Sequence, residues 1–117
     1  MIKLQVIGNL GKDALVNNVN GKSVINFNVA HTEKYKNKDN VEVNNTTWLS
    51  CAYWTEKTNV ASYLKKGTQV FIEGKPEAKI YTNSNNMNIP QLHIRISYLQ
   101  LVNSRNQEQT ETESFNQ

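Results

Sequence analysis

The chain has one cysteine, two prolines and five glycines, and it lacks any long apolar run. A single thiol, Cys51, can close no internal disulfide, and with no Cys or His at ligand spacing it builds no zinc site. No segment approaches the ~18 apolar residues of a membrane-spanning helix. The opening MIKLQVIGNLGKD turns polar too early for a signal peptide, so a cytoplasmic protein without membrane contact is expected. Catalytic patterns are missing too: there is no phosphate-binding Walker loop, no HExxH and no Ser/His/Asp arrangement. His31 and His93 lie far apart and read as strand-face residues, and the carboxylates are scattered rather than paired. Neither an enzyme nor a cofactor or metal is expected.

What the chain does have is an uneven charge. Its 117 residues carry a net +3, but residues 103 to 117 (NSRNQEQTETESFNQ) hold Arg105 against Glu108, Glu111 and Glu113, a net of −2. Residues 1 to 102 therefore hold twelve basic and seven acidic side chains, a net of +5. A basic body of one-domain size followed by a polar, acidic tail reads as a polyanion-binding domain, 1–102, with a disordered extension, 103–117.

Five segments read as extended. IKLQVIG ends at Gly8, and KSVINFNVAHTE alternates, with Ile25, Phe27 and Val29 on one side; the Asn20-Gly21 pair before it signals a tight turn. TTWLSCAYW, residues 46 to 54, is the third. TQVFIEGKPEAKIY is the fourth, with Gly74 and Pro76 marking a bulge, bend or edge position, and QLHIRISYLQLV is the fifth, with Leu92, Ile94, Ile96 and Tyr98 sharing a face. Between the third and fourth, Val60, Tyr63 and Leu64 recur at helical spacing before Lys65, Lys66 and Gly67, which predicts a short helix. Gly8-Asn9-Leu10-Gly11 reads as a turn, and KYKNKDNVEVNN and TNSNNMNIP as long polar loops. Five strands with one helix between the third and fourth is the order of the OB-fold, an all-β, five-stranded Greek-key barrel.

The period-two alternation of residues 46 to 54 puts Trp48, Ser50, Ala52 and Trp54 on one face and the core-like Leu49, Cys51 and Tyr53 on the other. Two large rings on the less core-like face invite stacking. Tyr35 and Tyr81 flank the polar loops, and Lys34, Lys36, Lys38 and Lys79 crowd them. A single-stranded nucleic acid presents bases and phosphates alternately, so its surface needs rings interleaved with cations. Candidate base platforms are Tyr35, Trp48, Trp54 and Tyr81; candidate phosphate contacts are Lys34, Lys36, Lys38, Lys65, Lys66, Lys75 and Lys79. Tyr35 shares parity with the core-facing Phe27 and Val29, so its exposure calls for a bend or bulge before it. Tyr53, Tyr63, Tyr98, Phe27 and Phe71 read as core or subunit packing.

Three segments, VIGNLGKDA (6 to 14), TTWLSCAYW (46 to 54) and VASYLKKGTQVFIEGKPEAKIYT (60 to 82), resemble in order and spacing the bacterial single-stranded DNA-binding protein family. The resemblance covers nearly all of residues 1 to 102. It implies an OB-fold that protects single-stranded DNA in replication, recombination or repair, with stacking aromatics at the positions of Tyr35, Trp48, Trp54 and Tyr81. It also implies a basic pair at Lys65 and Lys66 and a homotetramer, or a dimer. Ile80 stands where the family commonly has a basic residue. The family's acidic Pro-Phe tip is missing from TETESFNQ, so recruitment of replication and repair partners through the tail is not expected. Two other readings of the residues stay open: a cold-shock-type RNA chaperone, and an OB-fold interaction subunit whose tryptophans anchor a protein partner.

Overall fold

The computed structural model describes residues 1–102. It contains six strands: β1 (Leu4–Leu10), β2 (Leu15–Val19), β3 (Lys22–Lys36), β4 (Glu42–Trp54), β5 (Gln69–Thr82) and β6 (Asn88–Leu101). They run in the order β1-β5-β6-β4-β3-β2, and a further β1–β3 pairing closes the first five of these into a barrel. β4 and β6 are parallel and every other pairing is antiparallel. The five-stranded OB barrel is therefore present, with β2 added as a flap on β3.

The barrel closes because the chain can approach itself closely at one point. A side chain at Gly8 would begin 2.5 Å from the Ala30 carbonyl oxygen, beside the short β1–β3 pairing of Asn9 with Ala30 and Leu10 with Val29. The interior is filled by alternate residues of each strand, among them Ile25, Phe27, Val29, Leu49, Cys51, Val70, Ile72, Ile94 and Ile96. Burial in this apolar core pushes the Cys51 thiol up to about 12, because a thiolate there would lose its hydration.

Several local expectations change. Asn20 and Gly21 have φ of 52° and 81°, the left-handed pair of a two-residue hairpin turn; the strand before it, β2, was not foreseen because every residue of LVNNV is exposed and shows no alternation. The expected helix is a 3₁₀ turn over Thr58–Tyr63. Its Tyr63 is exposed, while Leu64 after it is fully buried and closes one end of the core. Gly67 (φ 88°) serves a β-turn in which the Thr68 amide donates to the Lys65 carbonyl, not a helix cap. Gly8, Asn9 and Leu10 belong to β1, with the bend only at Gly11.

The two long loops are instead hairpin arms, because the pairing runs on almost to their tips: Lys36 opposite Glu42 in one and Thr82 opposite Asn88 in the other. Each tip is the same five-residue device. Asn37 Oδ1 accepts from the amides of Asp39 and Val41, and Asn83 Oδ1 from those of Asn85 and Met87; Asn40 and Asn86 take positive φ. An Asn side chain that mimics a backbone turn, with a second Asn tolerating the left-handed region, explains why these asparagine-rich stretches fold as tips. Since β4 and β6 run parallel, both arms project from the same end of the barrel.

Candidate nucleic-acid interface

Register carries the exposed face across four strands. Pairs directly opposite share a face of the sheet. Trp48 lies opposite Ala30, Ser50 opposite Asn28, Ala52 opposite Asn26 and Trp54 opposite Val24. On the other side of β4, Ser50 and Ala52 pair with His93 and Arg95 of β6, and these meet Glu77 and Lys75 of β5, followed by Lys79 and then Tyr81 two positions on. One outer face therefore carries Trp48, Trp54, Tyr81, Lys34, Lys36, Lys75, Lys79 and Arg95, and its cations outnumber the carboxylates Glu42 and Glu77.

All four candidate rings are open: Trp48 is 56% exposed, Tyr35 53%, Tyr81 47% and Trp54 37%. The two indoles are six positions apart along β4, about 20 Å at ~3.3 Å per residue. Trp48 sits where the β4–β6 pairing stops at Leu49 with Leu92, in the fork between the diverging arms. Its six-membered ring rests on Gly11; a Cβ there would come within 2.6 Å of it. The Gly11 amide donates to the Asn28 carbonyl, 3.2 Å, fixing this seat to the sheet. Trp54 is less free, lying beside Val24, which is 2% exposed.

Other expected residues lie elsewhere. Tyr35 needs no bulge: the β3–β4 register is unbroken from Val24 to Lys36, and the ring is exposed because the arm outruns the barrel that covers Phe27 and Val29. By alternation Tyr35 is on the other side of the arm from Trp48, with Val43 opposite. Lys38 is at that arm's tip. Lys65 and Lys66 lie off the sheet beyond the 3₁₀ turn; the Lys65 ammonium is 3.9 Å from the Asp13 carboxylate, whose other oxygen accepts from the Lys66 amide. Ile80 is 71% exposed and on the opposite side of β5 from Tyr81.

Tyr98 departs from its expected place. Between Glu73 and Gly74 the β5–β6 register shifts, and Ser97 is the extra residue on β6. The bulge turns Tyr98 outward, opposite Glu73, while Ile94 and Ile96 stay inside. Its ring meets Phe71 edge-on at 6.0 Å, and Ile7 pairs with Phe71 on the same outer surface. His31 Nδ1 is 3.1 Å from the Ile7 carbonyl oxygen, and His93 Nε2 is 2.9 Å from Gln91 Oε1; among the described residues no three His, Cys, Asp or Glu cluster as metal ligands. Arg95 and His93 were missed because placing β6 beside β4 requires the parallel register, which no local pattern encodes.

The sequence profile of the single-strand binding protein family matches residues 1–102. The chain belongs to that family. Single-stranded DNA-binding proteins of two Neisseria meningitidis strains are 29% identical over 107 residues, 90% of this chain and 62% of theirs. Single-stranded DNA-binding protein 1 of Chlorobaculum tepidum is 33% identical over 84 residues, 70% of this chain and 52% of its own. This chain thus spans about three-fifths to half of those relatives. Among solved structures, the small single-stranded DNA-binding protein of Streptomyces coelicolor superposes with a TM-score of 0.76 at 15% identity, over 89% of this chain and 96% of that one. The Plasmodium falciparum SSB complex with ssDNA superposes with a TM-score of 0.72 at 22% identity, over 88% and 96%. At these identities the likeness establishes the barrel. Among the described residues, no helix is long and apolar enough to cross a membrane.

Proposed function

We propose that this chain binds and protects single-stranded DNA with little sequence preference, without catalysing a reaction, in replication, recombination or repair. Trp48, Trp54, Tyr81 and Tyr35 are its base platforms. Lys34, Lys36, Lys75 and Lys79 attract phosphates on the tryptophan face, with Lys38 at the arm tip and Lys65 and Lys66 as outlying contacts. The observation that carries the reading is that both indoles of β4 are open on a face where cations outnumber carboxylates. Every base has a π-face, so stacking tolerates any sequence, while the lysines supply attraction that weakens with salt. Such a role places the protein with nucleoid DNA.

The apolar surface of Ile7, Phe71 and Tyr98 favours self-association, as a homotetramer or dimer, over a purely monomeric protein. The tail readings fall on residues 103–117, outside the described residues.

Titration with a thymidine oligomer, followed by tryptophan emission at two salt concentrations, tests the function. Quenching that saturates, with affinity falling as salt rises, is expected. Unchanged emission at low salt would refute the reading and favour the interaction-module alternative, and tighter binding of a matched RNA oligomer would favour the RNA chaperone.

A further inference from the structure

Arg95 occupies a position that ordinary sheet packing disfavours. Its cross-strand partner on β5 is Lys75, and like charges directly opposite each other repel. On β4 its partner is Ala52, too small to cover or pair with it. Among the described residues the ion pairs are His31 with Glu33 and Lys65 with Asp13, so Arg95 has no carboxylate partner. The nearest acids by register are Glu77, a diagonal neighbour opposite His93, and Glu73, opposite Tyr98 across the bulge; the Glu73 carboxylate is already taken by the Gln5 side-chain amide. Two unpaired cations thus face each other beside a gap left by an alanine.

We infer that Lys75 and Arg95 form a seat for a backbone phosphate, with Arg95 as its directional member. The inference rests on the DNA-binding reading and assigns that site a residue of its own. A phosphate between the two cations converts their repulsion into attraction, and a guanidinium can hold it through two parallel N–H donors. The seat lies one strand over and two residues back from Trp54, about 8 Å between Cα atoms. A nucleotide whose base rests on Trp54 can therefore place a phosphate on Arg95. The seat bridges the long polar gap between the two indoles, where Ser50 and Ala52 offer no charge.

The test compares the full chain with Arg95→Gln and Arg95→Lys, binding a thymidine oligomer over a range of salt. Arg95→Gln is expected to weaken binding at low salt and to flatten the dependence of log affinity on log salt by about 0.7, the share of one phosphate on a single strand. Arg95→Lys, which keeps the charge, should restore most of that slope. The tryptophan quench at saturation should be the same in all three. A wild-type slope in Arg95→Gln overturns the phosphate seat alone. A wild-type chain that does not bind the oligomer overturns the functional reading and the seat with it. Arg95 is exposed and makes no side-chain hydrogen bond among the described residues, so the substitution leaves the core intact.

Discussion

Two exposed aromatic surfaces sit on the barrel wall, and the β-bulge at Glu73/Gly74 divides them. On one side Trp48 and Trp54 share their face with Arg95, Lys75, Lys79 and Lys34. On the other, Phe71 and Tyr98 pair across rows with Ile7, Gln100, Gln5 and Glu73, none of them basic. Exposure of a ring therefore does not distinguish a nucleic-acid platform from an interface with protein. The charge of its cross-strand neighbours does: rings among cations suit stacked bases with their phosphates, whereas rings among neutral amides and apolar side chains suit another protein surface.

Paired substitutions give the largest expected effect. Trp48→Ala with Trp54→Ala removes two platforms at roughly 1–3 kcal/mol each, so affinity for a thymidine oligomer should fall at least about thirtyfold while the circular dichroism stays that of a folded barrel. Phe71→Ala with Tyr98→Ala should leave affinity per chain unchanged and lower the sedimentation coefficient. Equal losses of DNA affinity from both pairs would abolish the distinction between the surfaces.

A smaller effect is expected at the seat of Trp48. In Gly11→Ala the new methyl meets the indole and displaces it, so the loss is bounded by that of one platform, about 1–3 kcal/mol. Adding Trp48→Ala to Gly11→Ala should cost little more, because the two act through one ring. Full additivity would show that Gly11 matters for some other reason.

At neutral pH the smallest effect, because it emerges only in alkali, concerns the two sides of β4 itself, where Trp48 faces out and Cys51 faces in. Well below pH 9 the Cys51 thiol is neutral in both folded and unfolded chains, and it contributes no pH dependence. As pH rises from 9.0, its ordinary value, toward about 12, its value when buried, the unfolded chain gains from ionising first, so stability falls. Denaturant midpoints across this range should decline less in Cys51→Ala. At pH 8 an alkylating reagent should label the wild-type thiol only after unfolding; rapid labelling of the native protein would place Cys51 outside the core.

Much of the fold was legible in short-range pattern. Leu49 and Cys51 alternating with the two tryptophans set the faces of β4, and Asn20-Gly21 marked the turn that leads into β3. Gly74 marked the bulge. The misreadings share a physical cause: their signal was not local. LVNNV forms β2 only because β3 offers it an edge. The asparagine-rich loops become arms because cross-strand pairing continues through polar residues that look structureless alone. The spacing of Val60, Tyr63 and Leu64 mimics a helix, but the segment needs only to deliver Leu64 into the barrel. Ser97 gave no sign that it would shift the register and turn Tyr98 out.

By itself the sequence determined the inward faces of β3 and β4, since alternation of apolar and polar residues is a property of each strand and needs no partner. It also placed two indoles among polar neighbours. Only the tertiary structure decided which cations stand beside those indoles, because Arg95 and Lys75 reach Trp54 through the parallel register of β6 on β4 and the bulge of β6 on β5. Strand adjacency is a long-range choice made by barrel closure, and the charge of the face follows from it.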